Sequence, residues 1–439
     1  MTADAEPRST AATDTSTRLI RTLTLTIFLQ WLGATAIIPM LPVYIRHLGG
    51  TDTLAGVVMA AFFAAGVLFQ YPLGRLADRV GRRPVLIGGL VTYGVASFAF
   101  LAPLSPTFAI LLRALQGAGA GAAAVAALAM ISSSVAVERR GRAFASIYGG
   151  ELAGMAVGPL IGSIVGIRYM GLMFIASGVV SIAACIPALC ISEPHDAANE
   201  RARDARAEGT SIPLSRVRLN RSMIGAFVSG SALGLTTGVY DICWTLLLLA
   251  RGASGWEIGI SWTLFAVPFV LAAKPSGWLA DHMDRRLLVL VGIGTSALFC
   301  ATYPFIHSVP ALIVLGALEA LGFAAALPAV QSLLTQGSDS SEVGRVQGVF
   351  ATCQTACTAI AAAGAGAAFA LTVWLPFVTV ASVVIVGLGA AAFIWRSVPG
   401  RVQPEPVDVA QGSARRRGDQ VWPEPVQVVV PVGVSGDVQ

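Results

Sequence analysis

Apolar residues in this chain run on in long blocks, separated by short charged stretches. Blocks of about twenty residues are what an α-helix needs to cross roughly 30 Å of hydrocarbon. The pattern predicts helices near 20–45, 54–74, 84–102, 106–134, 142–166 and 169–191. A hydrophilic stretch follows over 192–220, and six more helices are predicted near 222–250, 256–278, 287–305, 309–335, 344–371 and 373–396. The expected fold class is an all-α membrane protein with twelve transmembrane helices.

The two sets of six are copies. A shift of 203 residues pairs Gly49 with Gly252, Gly56 with Gly259, Pro72 with Pro275, Gly119 with Gly322 and Arg142 with Arg345. The same shift lays GRLADRVGRR, Gly74 to Arg83, over GWLADHMDRR, Gly277 to Arg286. One ungapped offset over both halves implies a duplication and two pseudo-symmetric six-helix bundles. Parallel halves of this kind hold their substrate site near the bilayer midplane, between them. The expected organisation is a disordered tail over 1–18, a first bundle over 19–191, a linker over 192–220, a second bundle over 221–396 and a disordered tail over 397–439. The last tail repeats PEPV and carries Arg415, Arg416 and Arg417, a composition that buries little.

Composition agrees with a membrane protein. Of 439 residues, 55% are hydrophobic and only 12% charged, about half the charge of a soluble chain; mean hydropathy is +0.73. The net charge of +5 does not point to nucleic acid. The arginines gather in the loops after spans two, four, eight and ten: Arg75, Arg79, Arg82, Arg83, Arg139, Arg140, Arg142, Arg285, Arg286 and Arg345. The opposite loops hold only Arg46, Arg168 and Arg251. Such an imbalance places the first set, both termini and the linker in the cytoplasm of a cell-membrane protein. The polar start, with Asp4, Glu6 and Asp14, does not read as a cleavable signal peptide. Cys185, Cys190, Cys243, Cys300, Cys353 and Cys357 fall inside predicted spans without metal-ligand spacing, and read as small packing residues. No metal site, nucleotide-binding loop or nucleophile–base arrangement is present in the sequence, so neither an enzyme nor an ATP-driven pump is expected.

Gly74 to Arg83 resembles the loop signature of the major facilitator superfamily between helices two and three. Arg113-Ala114-Leu115-Gln116-Gly117-Ala118-Gly119 is similar to that family's helix-four motif, and Gly154 to Gly162, GMAVGPLIG, to its helix-five antiporter motif. Ile38-Pro39-Met40-Leu41-Pro42-Val43-Tyr44 resembles the helix-one pattern of its twelve-helix drug/proton antiporter branch. Ala145 and Ser163 stand where the antiporter motif usually has glycines, and Asp284 replaces the glycine that matches Gly81. The resemblance implies the major facilitator fold and transport by rocking of the halves. It also implies gating roles for Gly74, Asp78, Arg79, Gly81, Arg82, Arg83, Glu138, Arg142 and Asp281. Asp78 is expected to meet the start of helix eleven, where Asp339-Ser340-Ser341-Glu342 reads as a capping box. Gly154, Gly158, Pro159 and Gly162 are expected at the seam between the halves, where a small-residue stripe lets helices approach closely.

Ionisable residues inside the spans need a reason, because each costs about 2.5–3.5 kcal/mol at mid-membrane. Arg113, Glu151, Asp241 and Glu319 are the proton-coupling candidates. A carboxyl shielded from water can take up and release a proton as its surroundings change. Glu319 is the 203-shift partner of Gln116; the resemblance implies that Arg113 helps set the charge of a nearby acid. The plainer readings are a neutral, hydrogen-bonded acid or an internal ion pair. Lys274 reads as snorkelling to the interface. Gln30, Trp31, Gln116, Tyr240 and Trp244 are candidates to line the substrate cavity; aromatics in spans also serve as packing.

The expected function is secondary active transport: proton-coupled efflux of small lipophilic or drug-like molecules. The expected partners are a small-molecule substrate, protons and the lipid bilayer, for a monomer with no cofactor beyond the proton gradient. Alternatives are an exporter or symporter of a sugar, organic acid or other metabolite, and a non-transporting membrane sensor or assembly partner.

Overall fold

The computed structural model describes residues 7–102, 105–135, 137–165, 169–191, 219–337 and 343–398. Residues 1–6, the linker over 192–218, the Asp339 to Glu342 capping box and the tail from 399 lie outside the described residues. So do the side chains of Glu138, Lys274, Asp281 and Arg345.

Among the described residues every regular element is helical. The first half contains α1 (Pro7–Ile37), α2 (Leu41–His47), α3 (Asp52–Val80), α4 (Arg82–Ala99), α5 (Phe108–Ser134), α6 (Val137–Val165), α7 (Met170–Ala183) and α8 (Cys185–Leu189). The second contains α9 (Arg221–Ala250), α10 (Gly255–His282), α11 (Arg285–Thr302), α12 (Val309–Thr335), α13 (Val343–Leu371) and α14 (Leu375–Ile394). Among the described residues, ten helical segments are long and apolar enough to cross a membrane by length and composition. α1 starts inside the 1–18 stretch expected to be a polar tail, so that expectation is corrected over 7–18. A 3-10 turn over Ile38–Met40 separates α1 from α2. Pro39 supplies its cause, having no N–H for the α-helical ladder.

Local chemistry sets several starts. Thr51 caps α3 by accepting from the Leu54 N–H at 3.2 Å. Asn220 caps α9 through the Met223 N–H at 2.8 Å, and Ser254 with Glu257 forms a capping box on α10.

The repeat is visible in backbone geometry. Gly49 and Gly252 take nearly the same left-handed conformation, φ 85° and 82°. Gly89 lies against the Gly119 carbonyl, and their shifted partners Gly292 and Gly322 repeat that contact. Each half packs its own helices, α1 on α6 and α3 on α5 in the first, α9 on α13 and α10 on α12 in the second. Among the described residues the halves meet mainly along two crossings, α3 on α13 and α6 on α10, with α9 also touching α2 and α3. At the first, Gly56 and Gly366 bring the α3 backbone onto that of α13 near Asp52 and Ala362. At the second, Gly255 and Gly259 lie against Ser163 and Leu160, and Thr263 donates to the Ala156 carbonyl at 2.9 Å. These contacts share one end of the bundle, hereafter the seam end. The loops Gly74 to Arg83 and Gly277 to Arg286 lie at the other, the loop end.

Expectation and structure part company at the helix-five stripe. Gly154, Gly158 and Gly162 face α1, against Leu32, Thr35 and Ala36, all within the first half. Leu160 and Ser163, on another side of α6, face the second half. Small residues were the right signal for close approach; the partner is α1, while the inter-half approach on this side is made by glycines of α10.

The two copied loops turn differently. Gly81 has φ 101° and ψ 154°, closing α3 and opening α4. Asp284, its shifted partner, has φ −66° and caps α11 by accepting from the Arg286 N–H at 2.9 Å. Its carboxylate also pairs with the Arg286 guanidinium at 2.6 Å, which holds it below the usual carboxylate range. A conformation reserved for glycine carries a cost of about 1–3 kcal/mol for other residues. Gly81→Ala is therefore expected to lower the thermal midpoint of the purified protein, and Asp284→Ala to cost about 1 kcal/mol through loss of the cap. An unchanged midpoint in Gly81→Ala would show that the turn relaxes freely.

Candidate functional site

The loop end comes first. Arg82 donates to Ser133 at the end of α5. Arg83 donates to the Leu189 carbonyl at 2.6 Å, at the C-terminal end of α8, where a cation also meets the negative end of the helix. Arg286, the shifted partner of Arg83, does the same in its own half, donating to the Trp395 and Val398 carbonyls at 3.1 and 2.7 Å. Arg83 and Arg286 thus tie each loop to the end of its own half, and Arg82 ties the first loop to α5. Asp78 and Arg79 are exposed, and no partner reaches Asp78 among the described residues. Arg142 is exposed and Gly74 has only ordinary contact with Val125.

The buried charges form two centres at shift-related places. In the first half, Arg113 on α5 is 1% exposed. Its Nη1 donates to Gln116 Oε1 at 2.9 Å, its Nη2 approaches Met59 Sδ at 3.7 Å, and the guanidinium lies 4.5 Å over the Phe62 ring. Gln116 passes the chain on to Ser97 Oγ at 2.9 Å, and Ser97 to the Tyr93 carbonyl at 3.0 Å. Asp241, on α9 of the second half, lies near enough for its charge to act on Arg113. It is 7% exposed, and no hydrogen bond reaches its carboxylate among the described residues. Arg113 and Asp241 are therefore a base and an acid on opposite halves, with no hydrogen bond or ion pair between them in this arrangement of the described residues.

In the second half, Glu319 on α12 is 1% exposed. Oε1 accepts from Tyr240 at 2.8 Å and from Ser296; Oε2 accepts from Tyr303 at 2.5 Å. Tyr240 and Trp244 line a cavity of ≈ 30 Å³ beside Glu319, walled also by Trp262, Phe265 and Gly316. Trp244 is fixed by its indole N–H, which donates to Ser261 Oγ at 2.9 Å.

The other candidates fall elsewhere. Gln30 is 3% exposed and accepts from Ser181 at 2.9 Å, tying α1 to α7. Trp31 packs against Gly154 on α6. Both take part in helix-to-helix contacts of the first half. Glu151 is half-buried on α6 beside Gly150, which packs on Thr24; its carboxylate has no hydrogen bond among the described residues. No hydrogen bond or ion pair joins it to Arg113 among the described residues. Met59, Phe62, Ser97, Tyr93, Trp262, Phe265, Ser296 and Tyr303 were missed by sequence reading. The shift that linked Gln116 to Glu319 also links Met59 to Trp262 and Phe62 to Phe265, so the signal was available.

A bundle of apolar helices in two repeated halves, with a buried base on one half and a buried acid on the other, is the frame of a membrane transporter. The family model of the Major Facilitator Superfamily matches residues 23–242 and 235–432, and the chain belongs to that superfamily. The tetracycline resistance protein, class E, of Escherichia coli is 27% identical over 336 residues, covering 74% of this chain and 81% of that protein. The multidrug resistance protein MdtG of Escherichia fergusonii is 25% identical over 341 residues, covering 73% and 82%. Among solved structures, a bacterial homolog of the human lysosomal transporter Spinster aligns with TM-score 0.70 at 14% identity, over 92% of this chain and 100% of that one. The nucleoside transporter NupG aligns with TM-score 0.70 at 14% identity, over 86% and 99%. The chain is thus a membrane-spanning transporter of small molecules and not an enzyme, similar to the drug-efflux branch.

Proposed function

We propose that this chain is a proton-coupled exporter of small lipophilic molecules, working by alternating access with the proton gradient as its driving force and no cofactor. The Arg113–Asp241 pair carries the reading. With Asp241 charged, attraction to Arg113 across the interface favours one arrangement of the halves. With Asp241 protonated, that attraction is gone, so proton occupancy and the relation of the halves are coupled. One charge moved through 100 mV is worth about 2.3 kcal/mol, enough to bias such an equilibrium. The relatives named for tetracycline and multidrug resistance support export, and the apolar, aromatic lining near Glu319 supports lipophilic cargo.

In this reading α4 and α10 also cross the bilayer, giving twelve spans in two six-helix bundles. The domain limits are those expected from sequence, with helix α1 reaching back into the first tail. The loop end and both termini lie in the cytoplasm of the cell membrane, and the packed seam end faces outward. When the loop end closes, Asp78 meets the start of α13, with Glu138, Arg142 and Asp281 around it. One chain supplies both halves, so a monomer suffices.

The test is a proteoliposome loaded with a pH-sensitive dye. Adding a lipophilic substrate such as tetracycline should drive proton movement opposite to the substrate, and an uncoupler should stop uphill export. Uphill export that persists after the proton gradient has collapsed sinks the reading.

A further inference from the structure

The two buried centres, superimposed by the 203-residue shift, differ in one respect that suggests a ligand. Arg113 corresponds to Gly316, and the three side chains around its guanidinium, Met59, Phe62 and Gln116, correspond to Trp262, Phe265 and Glu319. In the first half the arginine fills the space among them. In the second half Gly316 leaves that space as the ≈ 30 Å³ cavity, and the amide has become a carboxylate. Glu319 receives hydroxyl donors from Tyr240, Ser296 and Tyr303, but among the described residues no cationic side chain bonds to it. Aromatic faces surround the gap, and such faces attract cations when water is excluded.

We propose that this cavity is a subsite for the cationic head of an organic guanidinium or ammonium compound, the guest taking the place that Arg113 occupies in the other half. The head pairs with the Glu319 carboxylate and lies between Trp244, Trp262 and Phe265. The volume suits a small head group, about two waters' worth of space, and the apolar body of the ligand remains outside it. The proposal rests on the exporter reading and narrows its cargo to lipophilic cations.

The experiment uses the purified full-length protein in detergent, titrated with phenylguanidinium and with neutral phenylurea while tryptophan fluorescence is followed. Phenylguanidinium is expected to saturate the signal, and phenylurea to bind at least about tenfold more weakly, as loss of a charge-assisted hydrogen bond implies. Glu319→Gln is expected to remove that preference. Gly316→Arg is expected to abolish phenylguanidinium binding by restoring the arginine of the first half. If Gly316→Arg fails to fold, Glu319→Gln, a near-isosteric change, still decides the matter. Equal affinity of wild type and Glu319→Gln for phenylguanidinium overturns the proposal, as does absence of binding. If binding is absent while substrate-driven proton movement persists, the subsite falls and the exporter reading stands. If binding depends on Glu319 but no proton movement follows, the subsite stands and the exporter reading falls.

Discussion

Asp241→Asn is expected to abolish uphill export while leaving downhill substrate exchange in place. Asparagine keeps the size of the side chain and stays neutral, so it fixes the position in the state that mimics a bound proton. Arg113 then faces no opposing charge at any pH. Removing one member of a buried pair costs about 3–5 kcal/mol when the other is left uncompensated. Here Arg113 keeps Gln116 and the Phe62 face, so folding should survive. The loss appears instead in coupling: a bias of about 2.7 kcal/mol corresponds to a hundredfold change in equilibrium, and uphill accumulation should fall on that order. The rate of downhill exchange should become less sensitive to pH, because one buried acid is gone while Glu151 and Glu319 remain. Glu151→Gln serves as the comparison. Its carboxylate is half-buried, lacks a hydrogen bond among the described residues and is not among the charges that act on Arg113, so its effect should be smaller. Retained uphill export with unchanged pH dependence in Asp241→Asn would remove the Arg113–Asp241 pair from the mechanism.

The architecture was open to reading because its causes are local. Runs of apolar residues and the 203-residue offset mark helices and halves directly, and Gly49 and Gly252 show the offset down to a backbone angle. Which faces meet was not open in the same way. Gly154, Gly158 and Gly162 advertise close approach, but a stripe of glycines does not name its partner, and here that partner is α1. Gln30 and Trp31 look like cavity residues because they are polar or aromatic inside a span. In the fold they also meet neighbouring helices, Gln30 through Ser181 and Trp31 beside Gly154, contacts that the sequence does not announce. The acids were found because charge in a membrane is rare, but their partners lie 79 residues away for Tyr240 and Glu319, or on the other half for Asp241 and Arg113. Sequence distance hides such pairings. The repeat could have recovered part of them, since Arg113 and its shell predict the positions of Gly316, Trp262, Phe265 and Glu319.

The second large effect is expected at the seam end, in Gly366→Leu. A side chain there meets the Asp52 carbonyl and the Gly56 nitrogen of α3, and both are backbone atoms that no rotamer change can move aside. The crossing also loses room from the other side, since Gly56 already lies against the Ala362 carbonyl. Overpacking of this kind costs about 1–3 kcal/mol. The cost falls only on the arrangement in which α3 and α13 touch; each half keeps its internal core. In a protein whose halves rock between two arrangements, that shifts the balance about ten- to hundredfold against the one closed at this end. Export should stop while the protein remains folded and monodisperse. Cys243 offers a readout, for it is fully buried with its Sγ 3.6 Å from the Ala365 carbonyl, next to Gly366. In a variant where Cys243 is the sole cysteine, a thiol reagent should react slowly in the parent and about tenfold or more faster after Gly366→Leu. Gly364→Leu is the control: a Cβ there meets nothing within 4 Å, so transport and labelling should stay near the parent values. Normal export in Gly366→Leu would mean that transport does not require α3 and α13 to close on each other, and the rocking of the halves about this seam would have to be abandoned.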